Sequence, residues 1–229
     1  MQCILLAAGK GTRLRPLTDS LPKPLVPVLG KPILAHIIEL LPPHIDELII
    51  VHGYLGEKIK EYFGDTYNGR SITYVEQIEQ KGTGHALWLC REHIHGRFLY
   101  LFADDFHGEQ DLFNVLAHDR AMLTYPTTTP ERFGVVVKDE NDMLVDFVEK
   151  SPNPPSNLAS TGVFVLDERI FEYAPTVETN GEFYHTDMIK EYAKKYPIKI
   201  VEQTFWHPIG YPEDVEAIEQ MFRKQAAHH

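Results

Sequence analysis

The sequence predicts an α/β fold built on a largely parallel sheet. Three observations predict it. Short apolar runs of strand length recur through the first half, at Ile4–Ala8, Glu47–Val51, Ile72–Gln77 and Phe98–Ala103. Between them lie segments whose apolar residues return at helical spacing. The groups best suited to chemistry (a glycine-rich loop, the Gln77 segment and Asp104-Asp105) fall at the carboxyl ends of these runs, where parallel sheets bind ligands.

Ile4–Ala8 ends in glycines and reads as a buried first strand. The stretch from Pro16 to Pro32 is too rich in proline for regular structure. Pro32 suits the first turn of a helix carrying Ile33, Leu34, Ile37, Ile38 and Leu41, which Pro42-Pro43 end. Glu47–Val51 is a second strand. Ile59, Tyr62 and Phe63 predict a helix stopped by Gly64, Ile72–Gln77 a third strand, and Thr83–His93 a helix. Phe98–Ala103 is a fourth strand, followed by a helix over Leu112–Ala117 and a strand over Met122–Tyr125. The second half is richer in strands. Gly134–Lys138 and Leu144–Val148 flank an Asp-Glu-Asn-Asp turn, and Thr161–Leu166 is another apolar strand. A helix near Asp187–Tyr196, a strand at Ile198–Val201 and a helix over Pro212–Gln225 complete the chain, the last with an acidic start and a basic end that match its dipole. His228-His229 reads as a tag remnant.

Composition narrows the class. The 229 residues favour a single core. With 43% apolar and 24% charged residues, the chain is neither disordered nor of low complexity. No apolar run approaches the roughly 18 residues of a membrane helix, and no basic residue precedes the apolar start as it would in a signal peptide. Cys3 and Cys90 read as small core residues, so a reducing, cytoplasmic setting is expected. The net charge of −11 disfavours nucleic acid as a partner. Yet residues 1–31 carry +4 against −15 for the remainder, which points to a small anionic ligand near the N-terminus.

Leu6-Ala7-Ala8-Gly9-Lys10-Gly11-Thr12-Arg13-Leu14 explains such a ligand. Gly9 and Gly11 let backbone N–H groups turn toward phosphate oxygens, Ala7 and Ala8 permit close approach, and Lys10 and Arg13 add charge. The loop is neither a Walker loop nor a dinucleotide fingerprint, and taken alone it is equally an ordinary tight turn between strand and helix. Lys23, held between Pro22 and Pro24, is a preorganised cation; its plainer reading is a solvated loop lysine. Gln77 offers a donor and an acceptor to a base edge, Gly82 a close backbone and Thr83 a hydroxyl that could also start the helix. His85 reads as packed or capping. Asp104 can hold Mg²⁺, with Asp105 the competing assignment and a helix cap the alternative for either. Glu149 offers a hydrogen-bond acceptor and Lys150 a cation suited to a phosphate. Thr186-Asp187 reads as a helix cap.

The continuation Arg13-Leu-Arg-Pro-Leu-Thr18, Pro22-Lys-Pro-Leu-Val-Pro-Val28 and Gly30-Lys-Pro-Ile33 resembles the signature of the sugar-1-phosphate nucleotidylyltransferases, or NDP-sugar pyrophosphorylases. Gln77-Ile-Glu-Gln-Lys-Gly-Thr-Gly-His-Ala86 is most similar to the base-reading segment of the uridylyltransferase branch. The resemblance runs from Leu6 to Asp214. It implies a Rossmann-like nucleotidyltransferase fold, three-layer α/β/α with a central mixed, mainly parallel sheet. It also implies a single domain over 1–227, with a nucleotide-binding half to about residue 127 and a sugar-binding half from about 128 that includes the C-terminal helix.

By the same resemblance Leu6 to Arg13, Gln77, Gly82 and Thr83 bind the nucleotide, with Arg13, Lys23 and Asp104 catalytic and Asp104 holding Mg²⁺. Gly134 in Phe133-Gly-Val-Val136, Glu149 and Lys150 in Phe147-Val-Glu-Lys-Ser-Pro152, and Thr161 of the Thr161-Gly162 turn bind the sugar phosphate. The implied reaction takes an NTP, UTP first and dTTP next, and a sugar 1-phosphate to an NDP-sugar and pyrophosphate. Many relatives are oligomers, so a homo-oligomer fits the resemblance. One departure stands out. Where the family has a second metal-binding aspartate two residues after tryptophan, this chain has Pro208 after Trp206. Asp104 with phosphates and water, or a neighbour such as His207, would then hold the ion. Two other readings fit the same residues: a nucleotide- or NDP-sugar-binding protein with impaired turnover, and a glycosyltransferase of similar architecture that uses Asp104-Asp105.

Overall fold

Every second residue of strand β1 (Gln2–Ala7) faces a different apolar layer. Cys3, Leu5 and Ala7 pack into one core, and Ile4 packs into the other. The same alternation runs through β2 (Glu47–His52) and β4 (Arg97–Phe102), where Leu48, Ile50, Leu99 and Leu101 face the first core and Ile49, Val51, Phe98 and Tyr100 the second. Strands buried on both faces must be apolar throughout, which is why these runs are continuous. The computed structural model describes residues 1–176, 178–179 and 181–227, so His228 and His229 lie outside the described residues.

Helices cover both faces. Helices α1 (Ile33–Leu40) and α2 (Gly56–Phe63) lie on the first core. Helices α3 (Gly82–Leu89) and α5 (His185–Ala193) lie on the second, while α4 (Glu109–Leu116) and α6 (Pro212–Ala226) join the first. The result is a three-layer α/β/α arrangement around a ten-stranded mixed sheet. Strand β3 (Arg70–Glu76) pairs parallel to β2, and β2 and β4 pair parallel to β1. The second half joins antiparallel. Strand β9 (Leu158–Asp167) pairs with β4, with β6 (Ala121–Pro126) and with β7 (Gly134–Lys138), and β7 forms a hairpin with β8 (Leu144–Glu149). Strand β10 (Lys199–Glu202) runs parallel to β6 at the far edge. Burying a Leu or Ile side chain contributes roughly 1.5–3 kcal/mol, more than an exposed ion pair. Two-sided burial therefore fixes the strand ends that frame the cavity described below.

The structure departs from the sequence reading in several places. The segment between Pro16 and Pro32 forms a 3-10 turn at Lys23–Leu25 and a small hairpin of Pro27–Val28 with Lys31–Pro32. Helix α3 stops at Leu89 rather than His93. The Gln2 side chain donates to the His93 carbonyl at 2.8 Å and accepts from the His95 N–H at 2.9 Å, drawing that segment against β1 instead of continuing the helix. The Thr161-Gly162 turn is a bulge inside the longer β9, where Gly162 has φ +76° and the pairing with β6 shifts between Ser160 and Phe164. Asp105 does not cap a helix. It opens β5 (Asp105–His107), which pairs antiparallel with β11 (Trp206–Pro208).

Candidate active site

A cavity of about 500 Å³ opens at the carboxyl ends of β1, β3 and β4 and is walled on its far side by β7, β8, β9, the start of α5 and the segment after β11. The sheet register explains the convergence. Leu6 pairs with Val51 and Phe102, and Val51 pairs with Val75, so the four parallel strands end together.

On the front side, Leu6, Ala8, Gly9 and Arg13 line the cavity. Gly11 has φ +62°, and a Cβ there would lie 3.0 Å from Lys23 Cβ and from Thr18 Cγ2. The glycine thus lets the proline-bounded turn pack onto the loop. Lys23 is nearly buried at its base, and its ammonium reaches the cavity as the ion-pair partner of Asp104. Asp104 follows β4 and keeps about a third of its side chain exposed. Asp105, the next residue, is buried and accepts from Trp206 Nε1 at 2.9 Å. Burial first, then the adjacent Asp104 charge, push its carboxyl upward, against the pull of Lys23 and the Trp206 N–H. Pro208 stands opposite Asp105 in the β5–β11 ladder and brings no donor atom.

The donor set for a metal is therefore sparse. Among the described residues no three acids, histidines or cysteines are grouped to hold an ion. Asp105 is committed to Trp206, and His207 Nε2 meets the Asp214 carbonyl at 2.8 Å. Of the Asp104-Asp105 pair, Asp104 is the carboxylate left to the cavity for an ion. This does not fit a dedicated cage. It fits Mg²⁺, which takes one or two carboxylates together with water and substrate phosphates.

Beyond the end of β3, Gln77, Gly82 and Thr83 all line the cavity. The Gln77 amide nitrogen is already spent, on the Gly82 carbonyl at 3.0 Å and His85 Nδ1 at 3.1 Å, so Gln77 presents its carbonyl oxygen as the unspent group. Thr83 does not start the helix. Its hydroxyl oxygen accepts from the His185 N–H at 3.2 Å and shares a 2.7 Å hydrogen bond with His185 Nδ1. Gln80 donates to the Ala8 carbonyl at 2.8 Å, tying this segment to the front loop.

Across the cavity, Gly134, Glu149, Lys150 and Thr161 line the opposite wall. A Cβ at Gly134 would sit 2.9 Å from the Phe147 ring and 3.0 Å from Glu149 Oε2, so the backbone is bare there. Glu149 accepts from Thr186 Oγ1 at 2.8 Å. Thr186-Asp187 is therefore not the helix cap: Tyr184 holds that position, and Thr186 serves to orient Glu149. Lys150 lies 3.5 Å from Glu149 and over the Tyr184 ring, exposed to the cavity mouth. The Thr161 hydroxyl is buried and donates to the Leu123 carbonyl at 3.1 Å, which makes it a wall residue rather than an available ligand.

The structure thus brings together thirteen of the residues the sequence singles out, but not Ala7, Lys10, Gly11 or Thr12, which do not line the cavity. Ala7 faces the first core, and Lys10 and Thr12 are exposed. Gln80, Arg132, Tyr184, His185 and Tyr211 line it without having been singled out. Gln80 sits within the Gln77–Ala86 segment, where the sequence already pointed. The others come from distant parts of the chain and carry no local signal.

Two buried imidazoles make stability depend on pH. Burial, then Lys150, hold His185 down to about 3. Burial holds His107 down to about 4 against its bond to Gln203. Both lie below the unfolded value of about 6.5. Between these limits the unfolded chain binds more protons, so their contribution is present above pH 6.5 and lost as pH falls. The melting temperature is expected to drop between pH 6.5 and 5, each imidazole contributing up to roughly 1.4 kcal/mol per pH unit. His185→Phe, which fits among Phe102, Phe147 and Phe164, is expected to flatten that slope by about one proton; an unchanged slope would count against a neutral His185.

Glycine-lined backbone and cations at the ends of parallel strands thus face a carboxylate–lysine wall across one cavity of an α/β protein. Comparison with known proteins gives the family. The profile of the Nucleotidyl transferase family matches residues 2–225, and the chain belongs to that family. The bifunctional protein GlmU of Methanocaldococcus jannaschii is 38% identical over 218 residues, which are 94% of this chain and 52% of that protein. The chain spans about half the length of such relatives. The UTP–glucose-1-phosphate uridylyltransferase AglF of Haloferax volcanii is 35% identical over 237 residues, 98% of both chains. Among solved structures, a Bacillus anthracis protein assigned as a glucose-1-phosphate thymidylyltransferase superposes with a TM-score of 0.85 at 26% identity, covering 96% of this chain and 94% of that one. A UDP-glucose pyrophosphorylase, at 24% identity and a TM-score of 0.84 over 98% of each chain, shares the fold.

Proposed function

We propose that this chain transfers the nucleotidyl group of an NTP, UTP by preference and dTTP next, to a sugar 1-phosphate, releasing pyrophosphate. The observation that carries the reading is the facing pair of walls: Arg13 and Lys23 beside Asp104 on one side, Glu149 and Lys150 on the other, around one cavity that Gln77, Gly82 and Thr83 close. The likeness to AglF over nearly the whole of both chains supports uridine and a hexose 1-phosphate.

A phosphate oxygen of the sugar 1-phosphate attacks the α-phosphorus in line, and the bond from that phosphorus to the bridging oxygen of the β-phosphate breaks. The nucleophile is already ionised at neutral pH, so the residues need only position it and neutralise charge. Lys150 holds the attacking phosphate, Glu149 accepts from sugar hydroxyls, and Arg13 and Lys23 stabilise the leaving pyrophosphate. Asp104, together with phosphate oxygens and water, would hold Mg²⁺, whose chemistry is charge neutralisation on the phosphates. Residues 1–127 form the nucleotide half of a single domain and 128–227 the sugar half. The buried free thiols Cys3 and Cys90 fit action in a reducing cytoplasm.

A panel of NTPs and sugar 1-phosphates, assayed for pyrophosphate with Mg²⁺, tests the reading. Turnover is expected to be fastest with UTP and to fall to background with EDTA, returning when Mg²⁺ is added in excess. Absence of turnover with every pair would sink it. Pro208 favours one second reading, a nucleotide- or NDP-sugar-binding protein with impaired turnover; tight NDP-sugar binding beside an absent reaction would single it out.

A further inference from the structure

Two guanidiniums on the cavity have no protein counterpart. Arg15, Arg91, Arg120, Arg169 and Arg223 are ion-paired to acids. Arg70 and Arg97 donate to backbone carbonyls. Among the described residues Arg13 and Arg132 alone of the arginines have neither kind of partner, and these are the two that line the cavity. They come from opposite ends of the architecture, Arg13 from the loop after β1 and Arg132 from the short turn before β7. Both meet the same ring: the Arg13 guanidinium carbon lies 5.4 Å and the Arg132 carbon 5.9 Å from the centroid of Tyr211. Tyr211 is itself fixed, because its N–H donates to Asp214 at 2.7 Å at the start of α6.

Two like charges meet one ring, and neither is ion-paired to an acid among the described residues. The nearby strand β11 ends in Pro208, which offers no charge to balance them. A planar guanidinium that is not paired internally keeps its full fork of N–H donors for phosphate oxygens. The aromatic face restrains each fork, so less freedom is lost on binding.

We propose that Arg132 is a second phosphate-binding cation of this site, held on the Tyr211 ring it shares with Arg13, and that the two grip the pyrophosphate portion of the triphosphate. This deepens the nucleotidyl-transfer reading and rests on it for the identity of the triphosphate. It adds a contact from the sugar half to the nucleotide's leaving group, so that triphosphate binding ties the two halves together.

Calorimetry with inorganic pyrophosphate and Mg²⁺ tests the assignment without turnover. Arg132→Gln is expected to weaken pyrophosphate binding at least about tenfold and to flatten its dependence on KCl. Tyr211→Phe keeps the ring and the affinity, whereas Tyr211→Leu weakens binding about threefold or more. Arg132→Lys keeps the charge without the fork and is expected to fall between wild type and Arg132→Gln. Titration with glucose 1-phosphate separates the other phosphate source. Pyrophosphate affinity within twofold of wild type in both Arg132 variants overturns the proposal, and so does a loss confined to glucose 1-phosphate. Melting curves confirm that each variant is folded. A wild type that turns over while Arg132→Gln binds pyrophosphate normally removes only this inference. A wild type that binds pyrophosphate through Arg132 but makes no NDP-sugar removes the proposed reaction instead.

Discussion

Lys23→Met is expected to lower kcat/KM for NDP-sugar formation by about 10²–10³-fold, the range found when one preorganised group facing developing charge is removed. Pro22 and Pro24 fix the backbone, Gly11 lets that turn pack against the front loop, and the ammonium emerges beside Asp104 on the cavity. Little of the loss should come from unfolding. Removing one partner of a fully buried pair costs about 3–5 kcal/mol, but Asp104 remains about a third exposed and stays hydrated when Lys23 is gone. Steady-state kinetics beside a melting curve separate the two effects: a large fall in kcat with a melting temperature within a few degrees of wild type. A wild-type rate of NDP-sugar formation in Lys23→Met would show that this lysine does not stabilise the leaving pyrophosphate.

The second large effect is structural and lies at the turn before α3. Gly82 has φ +88°, and a Cβ there would stand 2.6 Å from the Phe183 carbonyl oxygen and 3.0 Å from its nitrogen. Gly82→Ala must therefore shift backbone, not a pliable side chain. The left-handed conformation alone costs a non-glycine residue about 1–2 kcal/mol, and displacing the Phe183 backbone adds to it. We expect a loss of about 2–4 kcal/mol in stability, within the range for strained backbone sites. Because the Gly82 carbonyl also accepts from Gln77, the same variant should raise KM for UTP more than KM for the sugar 1-phosphate. Chemical denaturation and the two KM values check this. Unchanged stability would mean that the turn before α3 is not held as tightly as the packing of Phe183 indicates.

What the sequence made legible follows from the range of the forces involved. The parallel strands were readable because burial on both faces writes a continuous apolar run into each, as in Phe98–Leu101. The front loop was readable because glycine and proline constrain their own backbone. The limits came with distance along the chain. Thr186 looks like a helix cap when only its neighbours are considered, yet its hydroxyl is taken by Glu149, 37 residues away. Gln77 promises a donor and an acceptor, but His85 and the Gly82 carbonyl consume the donor once the segment folds. Helix α3 reads on past Leu89 in the sequence, and the Gln2 side chain, from the other end of the first half, overrides it. The β5–β11 pairing, which buries Asp105 against Trp206, joins residues 101 apart. No local pattern encodes such a contact. Arg132 and Tyr211 were invisible for the same reason, since only the closed fold brings them to Arg13.

The central claim is that the cradle after β1 grips a triphosphate while Asp104 and Lys23 face its phosphates. A crystal structure with a non-hydrolysable UTP analogue and Mg²⁺ tests it most directly. Uracil is expected against Gln77 and Gly82, phosphate oxygens within hydrogen-bond distance of Gly9, Arg13 and Lys23, and Asp104 turned toward the metal. Nucleotide bound elsewhere, or a cavity left empty at saturating analogue, would contradict it.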